Sequence, residues 1–243
     1  LGCMLSIADK MDTLVGIFGI KQQPTGEKDP FALRRSALAI LRIIIEKSLP
    51  INLMELIKKS IKTYGNKLVE TDLSSQIFEF MQQRLKAYYT EKGTPLNVYL
   101  AVSSLTILKP HDFQQRIVAV EHFQTLNESE SLTQANKRVA NILKKQSKKK
   151  PVINIQPELL LEDAEKNLVN ELQSKITLND TLNKAGQYSA SLTELASLKE
   201  PIDSFFNEVM IMTDDTKVRN NRLAILQQIK ELFSQVADLS QLC

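Results

Sequence analysis

The sequence predicts an all-α fold, and three of its features support that prediction. Helix-forming residues such as Leu, Ile, Lys, Gln, Glu and Ala dominate a chain of 243 residues. Helix breakers are scarce, with 7 glycines and 8 prolines. Apolar residues recur every three to four positions, which is the period of a helix with one buried face. We expect two helical-bundle domains, residues 1–109 and 110–243, separated near "KPHD" at 109–112.

Five helices are expected in the first domain. The first covers about residues 2–17 and opens in mid-helix, as in a chain cut from a longer protein. Asp29 should cap the second helix, with Pro30 at the first helical position. That helix, "FALRRSALAILRIIIEKSL", is apolar around most of its circumference and should lie in the core. The remaining three are expected over 52–63, 72–90 and 95–106.

Seven further helices are expected in the second domain. The first should end near Leu126, and the next two should cover 131–147 and 156–175. The fourth and fifth should end at Gly186 and Glu200. The sixth should begin at Pro201, and the seventh should cover 219–236. The segment "KKKPVINIQP" between two of them is predicted to be an exposed loop. The helix from Pro201 carries an apolar stripe. This stripe favours a core helix, packed on 192–198 and 223–233, and argues against a surface on which bases stack. The stripe consists of Ile202, Phe205, Phe206, Val209 and Met212, and the residues expected in the core are Phe205, Phe206 and Met210.

The charge distribution and the two cysteines indicate which kind of partner and which compartment to expect. Residues 1–150 hold 23 Lys and Arg against 14 Asp and Glu, whereas residues 151–243 hold 8 against 14. This asymmetry indicates a polyanionic partner for part of the chain. Cys3 and Cys243 show no zinc or disulfide spacing, which is typical of a cytoplasmic protein. No apolar run reaches the roughly 18 residues of a membrane helix, so no membrane partner is expected.

The enzyme motifs in the chain are weak. His111-Asp112 resembles the dipeptide of metal phosphohydrolases, but no histidine lies upstream to complete a site, and Asp112 is better explained as a helix cap. Asp9 and Asp12, three residues apart on one helix, are typical of a solvated or ion-paired arrangement. No glycine-rich phosphate loop is present. We therefore assign no catalytic residue, no metal ligand and no cofactor to this chain.

The strongest binding signal is the segment from Lys137 to Lys150, which holds seven basic residues and no acid. Its basic positions step by three and four residues along the side opposite an apolar stripe. Such a helix can lie along phosphates, while Asn136 and Asn141 can bond to sugars or base edges. The alternative is a solvated helix face followed by a basic loop. These residues alone leave both interpretations open.

A second basic cluster follows "TDD" at the start of the last helix. Arg219 and Arg222 lie there together with Asn220 and Asn221. A cation at a helix N-terminus opposes the helix dipole, so its placement against local preference favours a phosphate ligand.

Several stretches together resemble the β subunit of bacterial glycyl-tRNA synthetase. The similarity keeps the family's order over almost the whole chain and corresponds to the C-terminal third of that subunit. The stretches are "ADKMDTLVGIFGI", "PTGEKDPFALRRSALAILRIIIEK", "ANKRVANIL" and "ELASLKEPIDSFFNEVMIMTDDTKVRNNRLAIL".

The resemblance implies a fold and a role for each domain. Residues 110–243 would form a helical anticodon-binding domain of the kind found in arginyl-tRNA synthetase. Residues 1–109 would end an HD-like helical domain, in which Asp9 matches the final acid of the HD pattern. The histidines of that pattern lie outside this chain, so no bound metal is expected.

The family also implies partners. Its β subunit joins a catalytic α subunit in a heterotetramer of two α and two β subunits, which attaches glycine to tRNA(Gly) using ATP. We therefore expect a cytoplasmic tRNA-binding fragment that is not catalytic alone. The expected RNA contacts are Lys137, Arg138, Asn141, Lys144, Arg219 and Arg222. The rival interpretations are a helical protein-interaction module without RNA contact and a metal phosphohydrolase.

Overall fold

The structure is a computed structural model that describes residues 2–68, 72–146 and 154–243. Within these ranges the chain forms eleven α-helices and no strand, which confirms the all-α prediction. The helices are α1 (Gly2–Gly19), α2 (Leu33–Glu46), α3 (Leu53–Thr63), α4 (Leu73–Glu91), α5 (Leu96–Ser103), α6 (Pro110–Phe123), α7 (Ser129–Gln146), α8 (Asp163–Lys184), α9 (Tyr188–Ala196), α10 (Lys199–Glu208) and α11 (Thr216–Ser234). The expected loop "KKKPVINIQP" lies mostly outside the described residues.

The N-terminus of α2 differs from its prediction in one respect. The Asp29 carboxylate accepts hydrogen bonds from the backbone N–H groups of Leu33 at 2.8 Å and Arg34 at 3.0 Å, as a cap should. The helix nevertheless begins at Leu33, because Ala32 adopts a left-handed conformation with φ of 53°. Pro30 therefore lies in the preceding turn and not at the first helical position.

Helix α8 replaces two predicted helices. The predictions of a helix over 156–175 and a short one ending at Gly186 were wrong, because α8 is continuous from Asp163 to Lys184. Its start is stabilised by Glu165, whose carboxylate accepts from the N–H groups of Leu161 and Glu162, both at 2.8 Å. These two donors have no partner within the helix, so their capping decides where the helix begins.

Two further boundaries differ from the predictions. Helix α6 begins at Pro110, so Asp112 lies in its first turn and not at the position that precedes the helix. Helix α10 begins two residues before Pro201 and ends at Glu208. Val209 then takes an extended conformation, with φ of −105° and ψ of 121°, which breaks the predicted stripe. As a result Met212 is 48% exposed.

The chain divides into two compact units. The first contains the described residues up to Tyr99 together with Thr106–Gln114. In it, α1 packs on α2, α3 and α4, and α4 also packs on α2 and α3. The Tyr64 hydroxyl donates to the backbone carbonyl of Asp12 at 2.9 Å, joining α1 to the end of α3. The division of the chain into an HD-like domain over 1–109 and an anticodon-binding domain over 110–243 stays a prediction.

The second unit contains Leu100–Leu105 and the described residues from Gln115 onward. Helix α7 packs on α11, on α10 and on a C-terminal 3-10 turn at Leu239–Leu242, while α8 packs on α9, α10 and α11. The Arg116 guanidinium ties α6 to the end of α11 by donating to the carbonyls of Gln235 at 2.6 Å and Val236 at 2.8 Å. In neither unit is a described helix long and apolar enough to cross a bilayer.

Candidate nucleic-acid interface

Helix α7 has one face in the core of the second unit. Leu132 and Val139 are fully buried there, and Ala135 is nearly so. Asn136 is on the same side, and its Nδ2 donates to the carbonyl of Leu132 at 2.8 Å. The hypothesis that Asn136 contacts RNA was therefore wrong, because a buried amide bonded to its own helix cannot reach a ligand.

The opposite side of α7 is a basic face, which we define as Lys137, Arg138, Asn141 and Lys144. All four side chains are exposed, as their three- and four-residue spacing predicts. In the part of the chain that the structure describes, neither Lys137 nor Arg138 forms an ion pair with an acid. The basic residues at 148–150 lie outside that part. Lys137 and Arg138 can therefore present uncompensated positive charge to a polyanion.

Arg138 is held by an aromatic ring. Its guanidinium carbon lies 4.3 Å from the centroid of the Phe206 ring on α10. Phe206 is half-buried, so the prediction that it belongs to the core was wrong, whereas Phe205 is fully buried as expected. Adjacent residues point about 100° apart on a helix, so of two consecutive phenylalanines one can face the core while the other lies at its edge. Spacing alone could not have revealed Phe206 as a surface residue, because the consecutive Ile40 and Leu41 of α2 are both fully buried.

A polar link holds α10 against α7 next to this ring. The Ser131 hydroxyl donates to the Asp203 carboxylate, with distances of 2.8 and 3.0 Å to its two oxygens. Lys199 approaches Glu200 at 2.8 Å and Asp203 at 3.2 Å. Hydrogen bonds to Glu200 and then to Asp203 raise the pKa of Lys199. The principal neighbours of α10 are α8 and α7, and not the helices at 192–198 and 223–233 that the sequence analysis expected.

Arg222 is not part of any surface, so the prediction that it binds tRNA was wrong. Its side chain is 6% exposed, and its Nε lies 2.6 Å from a carboxylate oxygen of Glu165, which is 0% exposed. The guanidinium also donates to the Met210 carbonyl at 2.8 Å. The physical reason is that a buried carboxylate requires a cation, and Arg222 supplies it. Sequence analysis missed Glu165, although its spacing from Glu162 resembles a capping box.

Arg219 is half-buried, and its side chain forms hydrogen bonds at the N-terminus of its own helix, α11. It donates to the Thr213 carbonyl at 3.0 Å and to the Thr216 hydroxyl at 3.2 Å. Asp215 caps α11 by accepting from the N–H groups of Lys217 and Val218. The acidic cap offsets the unfavourable placement of a cation in the first turn. The hypothesis that Arg219 contacts RNA stays a prediction.

Asn221 of α11 has a structural role: it binds the backbone of Gln156, which follows the undescribed residues 147–153. Its side chain accepts from the backbone N–H of Gln156 at 2.7 Å and donates to the carbonyl of Gln156 at 3.1 Å. Asn221 is only 2% exposed, so this pair of bonds is sheltered from water. These two bonds hold the backbone of Gln156 against α11.

An exposed apolar patch lies beside the buried Arg222–Glu165 pair. We define this patch as Leu161, Met210 and Met212, which are 58%, 74% and 48% exposed. The prediction that Met210 belongs to the core was therefore wrong, because α10 ends at Glu208, before this residue. The backbones of Leu161 and Met210 are both bonded to the pair, which brings the two loops together. Large apolar side chains grouped on a surface are typical of a binding site.

The paired acids of the motif on α1 lie at the surface. Asp9 and Asp12 are both exposed on α1. Across the described ranges, no group of three or more His, Cys, Asp or Glu side chains comes together in a way that could hold a metal ion.

Comparison with known families now defines the class of the second unit. Residues 132–240 match the family model of the DALR anticodon binding domain, so the helices around the basic face belong to that class of helical domain. Residues 1–104 match the model of the glycyl-tRNA synthetase beta subunit. The chain belongs to the family of glycyl-tRNA synthetase β subunits, as the resemblance in the sequence predicted.

Individual relatives agree with this assignment. The chain is 48% identical over 242 residues to the glycine–tRNA ligase beta subunit of Coxiella burnetii (strain Dugway 5J108-111), covering 100% of this chain and 35% of the relative. It is 46% identical over 242 residues to the beta subunit of Pseudoalteromonas translucida, with the same coverage. It is also 46% identical over 245 residues to that of Yersinia enterocolitica, again covering 100% of this chain and 35% of the relative. The chain thus spans about a third of the length of these curated relatives.

Proposed function

We propose that this chain is the tRNA-binding part of the β subunit of glycine–tRNA ligase, and that the basic face of α7 contacts tRNA(Gly). One observation carries the proposal: an exposed set of cations lies on a helix within the stretch that matches an anticodon-binding domain. The other side of α7 is buried in its own unit, so the helix is rigid and its cations face water.

The expected interaction is electrostatic and depends on salt. Each lysine that approaches a phosphate releases counterions from the RNA, so affinity should fall steeply as the salt concentration rises. Lysines on phosphates strengthen binding to any tRNA, whereas Arg138 and Asn141 can make directed hydrogen bonds. Lys137 and Lys144 should therefore set affinity and salt dependence, and Arg138 and Asn141 should affect discrimination.

The test is fluorescence anisotropy with labelled tRNA(Gly) and a non-cognate tRNA over a series of salt concentrations. Lys137→Ala with Lys144→Ala should make the plot of log affinity against log salt shallower by up to about one unit for each phosphate that is no longer neutralised. The matched control replaces Lys166 and Lys184, exposed lysines of α8 that are paired with Asp163 and Asp180, and should leave the slope unchanged. An unchanged slope and affinity in the α7 variant would show that the basic face is merely solvated.

The activity of the whole enzyme belongs to this proposal as well. We propose that the chain acts in the cytoplasm with a catalytic α subunit, in a heterotetramer of two α and two β subunits that uses ATP and glycine. The chain alone should then form no glycyl-adenylate. Glycine-dependent exchange of pyrophosphate into ATP should be at background for this chain and present in the α/β enzyme. Exchange activity in the isolated chain would contradict this division of labour.

A protein-interaction module without RNA contact is the second candidate function. The apolar patch of Leu161, Met210 and Met212 favours it, because methionine-rich surfaces adapt well to protein partners. Salt-dependent binding of tRNA that is weakened by the α7 variant supports the first candidate. Absence of tRNA binding at low salt supports the second.

A further inference from the structure

Arg138 differs from the lysines beside it in how its charge is held. Its side chain is exposed and makes no ion pair with any described residue, yet its guanidinium lies 4.3 Å from the Phe206 ring centroid. A cation over the face of a ring is attracted by the ring's quadrupole. The ring therefore lies against the guanidinium, while the Arg138 side chain as a whole stays exposed to solvent.

The ring that supports Arg138 is itself immobilised. Phe206 packs edge-on against Phe205, with centroids 5.8 Å apart and an interplanar angle of 67°. Phe205 is 0% exposed, so it cannot yield without disrupting the core. The Ser131–Asp203 hydrogen bond holds α10 to α7 near the same place. The guanidinium plane is thus preorganised before any ligand arrives, which lowers the entropy cost of using it.

Asn141 lies one helical turn beyond Arg138, on the same exposed face. Its amide forms no hydrogen bond with any residue that the structure describes. An amide carries both an acceptor and two donors, which allows paired hydrogen bonds to the edge of a nucleobase. A flat cationic group and an open amide, one turn apart, form the combination by which proteins bind splayed-out bases of single-stranded RNA.

Resting on the proposed function, we propose that Arg138, Phe206 and Asn141 form a site for one unpaired base of the tRNA. The base stacks on the outward side of the Arg138 guanidinium, and Phe206 supports that guanidinium from behind. Asn141 hydrogen-bonds the edge of the same base. Lys137 and Lys144 contact the flanking phosphates, so the basic face holds both the backbone and a base.

The first test separates stacking from simple charge. Arg138→Lys keeps the positive charge and removes the plane, so it should weaken binding of tRNA(Gly) about tenfold, within the range for removal of one stacked base. The salt slope should stay the same, because the number of cations is unchanged. Phe206→Leu keeps an apolar side chain and removes the ring, and it should weaken binding several-fold. Arg42→Lys on α2, where Arg42 pairs with Glu46, is the matched control and should have no effect.

The second test reports on the base directly. A tRNA(Gly) anticodon stem-loop carrying 2-aminopurine at one loop position at a time should show changed fluorescence at one position when the native chain binds. Arg138→Lys should abolish that change, and Asn141→Ala should reduce discrimination between bases there. Unfolding curves monitored by circular dichroism should show that each variant is folded.

The two proposals fail in distinguishable ways. If Arg138→Lys binds as tightly as the native chain and no loop position changes its fluorescence, the base site is wrong while salt-dependent tRNA binding survives. If no variant of the basic face alters tRNA binding or its salt slope, the proposed function fails as well.

Discussion

The buried pair of Glu165 and Arg222 offers the sharpest test of the structure. The two side chains are 0% and 6% exposed, and their closest N–O distance is 2.6 Å. Arg222→Met removes the cation and leaves a similar apolar volume, so that the Glu165 carboxylate remains buried without its partner. Glu165→Gln keeps a hydrogen-bond acceptor at that position and removes the negative charge. The two changes together remove both charges from the interior.

The expected magnitudes follow from the contacts. Breaking a buried ion pair from one side costs about 3–5 kcal/mol, because the remaining charge is desolvated and uncompensated. Glu165 still accepts from the N–H groups of Leu161 and Glu162, both at 2.8 Å, so we expect the lower end for Arg222→Met, about 3 kcal/mol. For a domain of this size that corresponds to a fall in Tm of roughly 10 °C. The double variant should cost clearly less than the sum of the two single variants.

The assay is a double-mutant cycle by urea unfolding, monitored by circular dichroism. Additive effects, with a coupling energy below about 0.5 kcal/mol, would refute the conclusion that the pair is buried and interdependent. Binding of tRNA gives an independent check. Because Arg222 is enclosed, the folded double variant should retain the affinity of the native chain for tRNA(Gly). A large drop in tRNA affinity without a drop in the free energy of unfolding would show that Arg222 does contact the RNA.

Three smaller predictions concern the core, a cap and the pH dependence. Phe205→Ala should destabilise the chain by about 3–5 kcal/mol in urea, and weaker tRNA binding without a change in Tm would contradict its core role. Asp29→Ala should cost about 0.5–2 kcal/mol in the same assay, since two backbone donors lose their cap, whereas no change would show that the cap is dispensable. Burial raises the pKa of Tyr64, with Asp12 adding to it, and burial raises the pKa of Tyr99. The unfolded chain therefore loses these protons first, so the free energy of unfolding should fall as pH rises above the ordinary value of 10.0. Tyr99→Phe should make that fall shallower. A pH profile of the variant identical to that of the native chain would contradict this prediction.

Local sequence determined most of the secondary structure of this protein and one side of its candidate site. A helix is defined by neighbours three and four residues apart, so the apolar stripe of α7 and the exposed Lys137, Arg138, Asn141 and Lys144 could be predicted from spacing. The family could also be recognised, because its stretches occur in order along the chain. Helix ends were predicted less well, since Pro30 and Pro201 have local preferences that caps and turns override.

Only the tertiary structure determined the burial and the partners of charged and aromatic side chains whose partners are distant in sequence. Arg222 meets Glu165 57 residues away in sequence, and no local pattern distinguishes that arginine from one that faces water. The same holds for Phe206, whose ring lies under Arg138 from another helix. The physical reason is that helix periodicity sets the direction of a side chain relative to its own helix. What lies in that direction, whether solvent, a buried carboxylate or an aromatic ring, depends on how the helices pack.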